Sequence, residues 1–516
     1  MYKKSLIWLI VLATLGRCIV ASAVELGNDE VYYWTYSQHL QWNYFDHPPM
    51  IAFMIKLFTG NLLFQYSELF VRLGSIVCGG LATWFIYKLV TRISSEKAGF
   101  TAAVLYTTSL YSSIIAGVFA MPDSPQMLWW VLSIYMIAIL TTSEQTKGWQ
   151  WLLLGTFTGL CIMSKIHGVF ICFGFALYVI FYKREWLRNP WLYISFVVCF
   201  AIALPIFFWN YDNNFITYQF HSQRVGTHHL QFQSDSFLRE IVGEIMYNNP
   251  INFVLTAIAV TLFLKRKPQH ASPFMKASLL IALPMIGVLI GMSMFNDTLP
   301  HWSGPAYVTL IPLVAIHFSP RCAPERTMPR SAGYAMGLLM VTLVGAILLV
   351  NHFPGTLSNK KTAINAGSGD FTLDMYGWDQ TAKQMALIEQ RDVAAGKMAP
   401  GSVFISNKWF PAAHTDYYIA RPLGMKVIGM GNMFDLHHYV WMNTYAMQQE
   451  GSQLRDAYCI VPSNYNSDVR GLYSGEFAHI DSVGTYPVLR GGKVCRYFSV
   501  YRLKNFHGTV PEIQTQ

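Results

Sequence analysis

Charge is what this chain has least of. Only 13% of its 516 residues are Asp, Glu, Lys or Arg, against about 25% in a soluble domain. Acids are the scarcer sign, 28 against 37 Lys and Arg. So few charges cannot dress a surface that faces water everywhere, and the deficit fits a chain that shows much of itself to lipid. No low-complexity tract and no short repeat stands out. No glycine-rich phosphate loop for a soluble nucleotide is found either. The eight cysteines make no disulfide framework. Cys18, Cys78, Cys161, Cys172 and Cys199 lie in apolar runs and read as small buried hydrophobes. Cys459 and Cys495 lie in the polar C-terminal third, where a bridge stays open if that part is extracytoplasmic.

What the chain does have is apolar length: 53% of its residues are hydrophobic and 15% aromatic. A membrane helix needs about 20 mostly apolar residues. Eleven candidate spans follow, at 5–24, 69–90, 98–118, 124–142, 150–166, 168–182, 190–209, 250–264, 275–294, 303–318 and 331–350. The first also has the make-up of a signal peptide, but the later apolar runs favour an uncleaved span. Lys3 and Lys4 put the N-terminus in the cytoplasm, because short cytoplasmic loops collect Lys and Arg. Alternate loops are then basic: Arg92 and Lys97, Lys147, Lys183 to Arg188, Lys265 to Lys267, and Arg321 to Arg330. The loops between carry acids: Asp29, Glu30 and Asp46, Asp123, Asp212 and Asp235, and Asp297. Two outer loops are long, 25–68 and 210–249, and the pieces 31–42 and 50–58 read as helices at the interface. From 351 the apolar runs stop. Residues 376–391 have helical spacing, and strand-like runs follow at 402–406, 426–428, 458–461, 479–485 and 496–503. The expected architecture is mainly α: a polytopic bundle over 1–350 and a small extracytoplasmic α/β domain over 351–516.

Six clusters fall on the acidic face. Asp29-Glu30 follows the first span, where a carboxylate serves as general base, as metal ligand, or simply as a cap with Asn28 or Asp29 at the N-cap. Asp46-His47 precedes the rigid Pro48-Pro49 and reads as a cation or phosphate site, or as a plain turn. Asp123 sits in the turn MPDSP and either caps the next helix or faces the site. Lys165, in SKIHG, is costly at its depth unless it snorkels or meets an anion. Arg224, near His221 and His228-His229, suits bidentate phosphate binding. His301, in PHWSGPAY, is a ligand, a base or a boundary histidine. Acids, a Lys and an Arg around one outer cavity suit an anionic lipid substrate with a polar acceptor.

These motifs resemble the family 39-like branch of the integral-membrane glycosyltransferases, which includes the protein O-mannosyltransferases and the bacterial lipid A aminoarabinose transferase. NDEVYYW looks like that group's first-loop acidic motif, FDHPPM like its acid-basic-Pro-Pro motif, MPDSP like its Pro-Asp turn and SKIHG like its Ser/Thr-Lys turn. The likeness is clearest over 24–170, weaker to about 320, and only one of kind in the tail. It implies a GT-C fold with Asp29 as catalytic base and Glu30 in support. It implies a divalent cation (Mg, Mn or Zn) on Asp46, and His47, Lys165 and Arg224 toward the donor phosphate, with Asp123 and His301 as further site residues. His47 stands where the aminoarabinose enzymes carry Lys. The implied reaction is an inverting transfer from a polyprenyl-phosphate sugar to lipid A, another glycolipid, a glycan or a protein, in a bacterial inner membrane. A transporter or flippase for a lipid-linked sugar is the competing class, and a glycan-binding assembly protein the third. No nucleic-acid partner is expected.

Overall fold

In the computed structural model the described residues are 1–225, 231–265, 272–323, 326–448 and 454–512. They form two compact units. One holds Met1–Ala21, Leu40–Phe64 and Leu69–Leu343, and the other Ser22–His39, Gln65–Glu68 and Val344–Gln516. A cut at residue 350 therefore leaves out 22–39 and 65–68, which pack with the tail.

In the first unit every apolar run is helical. The longest helices are Tyr2–Ala23, Glu68–Ile93, Asp123–Thr142, Pro190–Asp212, Pro273–Ser293 and Arg330–His352. Among the described residues these six are long and apolar enough to cross a membrane, or seven if a bent pair, Ser234–Tyr247 with Pro250–Lys265, counts as one. The eleven apolar runs of the sequence are not eleven unbroken helices, because some of them break. The 98–118 run is helical to Thr108 and resumes as a π-helical turn, Tyr111–Ile115. The 150–182 run breaks at Lys165, whose extended backbone separates Gly148–Ser164 from Ile166–Gly168 and Val169–Tyr182. The bent pair turns by 97° at Asn249, which has a positive φ and precedes Pro250. Its amide Nδ2 donates to the carbonyls of Thr108 and Ala335, 3.0 Å each. Helices of 13 to 17 residues rise about 20–26 Å, short of a hydrocarbon core of about 30 Å.

Helix Gly148–Ser164 crosses Pro190–Asp212 closely because Gly155 and Gly159 face it. A Cβ on Gly155 would stand 2.3 Å from the Ser195 carbonyl, and one on Gly159 2.9 Å from that of Cys199. Such small-x-x-x-small spacing lets membrane helices pack backbone to backbone.

In the second unit the strands are β1 Val403–Ser406, β2 Val427–Gly429, β3 Ala457–Pro462, β4 Phe477–Arg490 and β5 Lys493–Phe506. Their order is β2-β1-β3-β5-β4. Strand β1 is parallel to β2 and β3; the other pairs are antiparallel. Gly491 and Gly492, both at positive φ, form the two-residue turn that the twist of a β4–β5 hairpin favours. Helix Trp378–Ala394 covers the segment expected from its spacing. Cys459 and Cys495 are free thiols. Cys459 stands opposite Tyr501, so Cys495 lies six residues along β5, about 20 Å at strand rise, and the open bridge is ruled out.

Segment 22–39 is tied into this unit by polar and aromatic contacts. The Leu26 N–H donates to Tyr418 Oη at 2.7 Å. The Glu25 carboxylate accepts from the N–H groups of Trp378 and Asp379, at 2.8 and 3.1 Å, and so caps a helix more than 350 residues away. Along helix Asn28–Gln38, Tyr32 packs on Trp409, Trp34 on Tyr417 and Tyr36 on His438. The aromatic density of this stretch therefore serves a protein core.

Candidate active site

In the first unit the centre of the polar cluster is a buried ion pair. Lys165 Nζ lies 2.8 Å from Asp123 Oδ2, and both side chains are almost wholly buried. Asp123 opens helix Asp123–Thr142, where the aligned peptide dipoles favour an anion. Tyr111 Oη donates to its other oxygen at 3.1 Å. Lys165 reaches it because the chain leaves the helix at that residue. His167 and His301 both lie within electrostatic reach of Asp123, and His47 within reach of His167. His167 packs against Trp302, and His301 against Tyr247.

The two long loops meet at the other half of the cluster. Asn43 Nδ2 donates to Thr217 Oγ1 at 2.9 Å, and Thr217 donates to the Tyr44 carbonyl at 3.0 Å. Trp209 Nε1 donates to Gln41 at 2.7 Å. The turn so fixed is closed by Tyr44 N–H on the His47 carbonyl. It carries the buried Asp46, 3.4 Å from His47 Nδ1. His221 Nε2 donates to the Asp46 carbonyl at 2.8 Å. Pro48 and Pro49 then lead into helix Met50–Phe58.

Asp46, His47, Asp123, Lys165 and His301 thus belong to one unit, together with His167 and His221. Arg224 lies on the same helix as His221, Ile216–Val225, but its side chain and residues 228–229 fall outside what is described. Asp29 and Glu30 belong to the second unit. Glu30 is buried, and its Oε2 accepts from the Gly27 N–H at 2.9 Å. The N-cap is Gly27, not Asn28 or Asp29. Asp29, one residue along, is exposed.

Sequence reading missed a pair of acids. Glu240 and Glu244 lie one turn apart on helix Ser234–Tyr247 and are buried. Glu240 Oε2 accepts from Thr298 at 2.6 Å and Glu244 Oε2 from Tyr307 at 2.9 Å. The signal was there as E-x-x-x-E, with a period that places both on one helix face. As for a metal, no group of three or more His, Cys, Asp or Glu among the described residues is placed to hold one.

Residues 46–209 match the family described as dolichyl-phosphate-mannose-protein mannosyltransferase. Over the whole length the chain superposes on ArnT from Cupriavidus metallidurans bound to undecaprenyl phosphate, with a TM-score of 0.60 at 13% identity, covering 96% of this chain and 97% of that one. The apo form of that protein gives 0.58. The chain has the GT-C fold. It is a multi-pass membrane protein. A lipid A galacturonosyltransferase, RgtD of Rhizobium johnstonii, is 26% identical over 215 residues, 41% of this chain. That match spans 44% of the relative's length. Within the GT-C fold, the family match takes in Asp46, His47, Asp123, Lys165 and His167, and begins after Asp29 and Glu30.

Proposed function

We propose that this chain is an inverting glycosyltransferase. It takes a sugar from a polyprenyl-phosphate donor in the membrane and passes it to an acceptor outside the cytoplasm, with lipid A, another glycolipid, a glycan or a protein as the acceptor classes. The observation that carries the reading is the buried Lys165–Asp123 pair at a helix break, ringed by imidazoles, in a chain of this fold. A buried ammonium aimed into a polar cluster is suited to an anionic leaving group.

In the reaction the Asp29 carboxylate takes the proton of the acceptor hydroxyl. The acceptor oxygen attacks the anomeric carbon, and the bond from that carbon to the phosphate oxygen breaks. Its electron pair leaves on the phosphate, where Lys165 and His47 meet the charge. Glu30 accepts from the Gly27 N–H and so holds the turn at the start of the helix that carries Asp29. A divalent cation on Asp46 is a separate proposal that needs the donor's own phosphate oxygens as ligands, and the steps above do not pass through it. The compartment proposed is a bacterial inner membrane, with the polar cluster and the C-terminal unit on the periplasmic side; the run of basic and acidic loops supports this.

The test is transfer from defined polyprenyl-phosphate sugars by the purified full chain, alongside mass spectrometry of lipid A and surface glycans from cells lacking the gene. Asp29→Asn is expected to lower turnover about 10²–10⁴-fold without loss of folded protein. No missing sugar in the deletion, or a wild-type rate in Asp29→Asn, overturns the assignment.

A further inference from the structure

The C-terminal sheet contains a point where its strand order reverses. From β1 the chain crosses to β2 on one side, then returns to β3 on the other, and all three run parallel. In open α/β sheets the two crossovers diverge at such a point and leave a crevice outside the carboxyl ends of the strands, the usual place for a ligand. Here that crevice is a cavity of about 470 Å³, lined by the segments that follow β1 and β3. Its volume lies within the roughly 300–1,000 Å³ of small-molecule sites.

We infer that this cleft binds a neutral saccharide unit, at a site separate from the Asp123–Lys165 cluster. The lining supplies the chemistry. Phe410, Pro411, Cys459 and Val461 make a buried apolar floor. At the mouth stand Asn407, Asn466 and Ser467, whose amides and hydroxyl both donate and accept. Tyr465 offers a half-exposed ring, held in place edge-on by Phe410 with centroids 4.5 Å apart and by its hydroxyl on Asp374 at 3.2 Å. The charges at the mouth leave no net positive charge for an anion: Lys408 is 4.0 Å from Asp435, and Asp468 adds an acid. No glycine-rich turn follows β1, where the sequence is Ser406-Asn407-Lys408, so a phosphate has no cradle of backbone N–H groups. An apolar floor, a neutral hydrogen-bonding rim and one fixed aromatic face match a sugar ring, which has an apolar face and an edge of hydroxyls. The inference does not rest on the transferase reading.

The test is saturation-transfer NMR on the full chain, in a detergent without a sugar headgroup. The probes are the methyl glycosides of glucose, galactose, mannose and N-acetylglucosamine, with galacturonic acid and inorganic phosphate as anionic probes. At least one neutral glycoside is expected to bind. Tyr465→Ala should weaken it about three- to tenfold, the worth of one aromatic contact, while Tyr465→Phe, which keeps the ring, should not. Asn466→Ala should weaken it as well, and Lys165→Met should leave it unchanged. Binding of none of the neutral glycosides overturns the inference. So does binding by the anions instead, binding that survives Tyr465→Ala with Asn466→Ala, or binding lost in Lys165→Met.

Discussion

Each compact unit buries ion pairs, and the two sets differ in how completely they are satisfied. In the C-terminal unit Arg490 meets Asp370 at 3.1 Å, both wholly buried. Its other nitrogens donate to the carbonyls of Gly355 and Val350 and to Thr372. Asp370 also accepts from Thr356, from the Leu357 N–H and from Thr372. Burial alone would raise its pKa; these hydrogen bonds and Arg490 outweigh that and hold it low. Asp392 is likewise bound by two nitrogens of Arg502, at 2.6 and 2.8 Å, and by Tyr458. In the membrane unit the Lys165 ammonium, with three donors to place, meets Asp123 alone among the described side chains. Saturated pairs hold structure. Lys165, with donors left over, can still meet a ligand.

The largest expected effect breaks a saturated pair. Asp370→Ala leaves Arg490 charged and buried without its counter-ion, which typically costs about 3–5 kcal/mol. The C-terminal unit should lose its cooperative melting transition or become sensitive to protease at room temperature. A melting curve like that of the wild type would show that saturation is not what makes this pair structural.

The opposite pattern is expected of the unsaturated cation. Lys165→Met should lower the transfer rate about 10²–10³-fold, as loss of one charge-stabilising donor does. Asp123, at a helix N-terminus and bonded to Tyr111, keeps two compensations, so the melting temperature should move much less than in Asp370→Ala. Kinetics and melting measured on one preparation separate the two. A variant that unfolds while its residual rate per folded molecule stays normal would place Lys165 with the structural pairs.

A third contrast comes from pH. His414 is buried in the C-terminal unit, stacked on Trp378 with centroids 4.3 Å apart. Its Nε2 faces the carbonyls of Leu26 and Asp374, both at 3.1 Å, so the neutral Nε2–H form fits. Burial, and then the charge of Arg496, lower its pKa from 6.5 to about 3, against the pull of those carbonyls. The folded state thus binds the proton later than the unfolded chain. Stability is full above pH 6.5 and falls as pH drops toward 3, by up to about 1.4 kcal/mol per pH unit. Glu25 acts in the other direction. Burial raises its pKa to about 7 despite the N–H groups of Trp378 and Asp379, so its share is present at acid pH and fades as pH rises through 7. Melting temperature against pH should peak between the two, and His414→Gln should flatten the acid limb. An acid limb unchanged in that variant would remove His414 as its source.

Much of this was legible in sequence because hydropathy acts locally. Each apolar run became a helix, and each strand-like run in the tail became a strand. What was hidden depends on contacts distant in the chain. The helix breaks at Ser109, Lys165 and Asn249 are settled by what their side chains meet, such as the Asn249 amide on Ala335. The stretch from residue 25 reads as the start of an outer membrane loop, yet Glu25 caps a helix that begins at Trp378. Asp123 and Lys165 were each found, but as two separate turns, since nothing local says they face each other. Glu240 and Glu244 carry no local sign of burial, because their partners Thr298 and Tyr307 lie more than 50 residues along the chain.

The smallest effect tests whether saturation or location decides. Thr217 belongs to the membrane unit, in the same polar region as Asp46 and His47, but it is a saturated link: it accepts from Asn43 and donates to the Tyr44 carbonyl. If location ruled, Thr217→Val would act like Lys165→Met and lower kcat. If saturation rules, the change removes two hydrogen bonds of about 1 kcal/mol each and leaves no charge uncompensated. The expected outcome is a slight fall in melting temperature and a raised KM for the lipid donor, because the 43–47 turn is held less firmly. The kcat should stay within about threefold, the equivalent of a single weak contact. A large kcat loss with unchanged KM would mean that the hydroxyl itself works on the reacting groups, and the division between holding and acting would then have to be drawn by position after all.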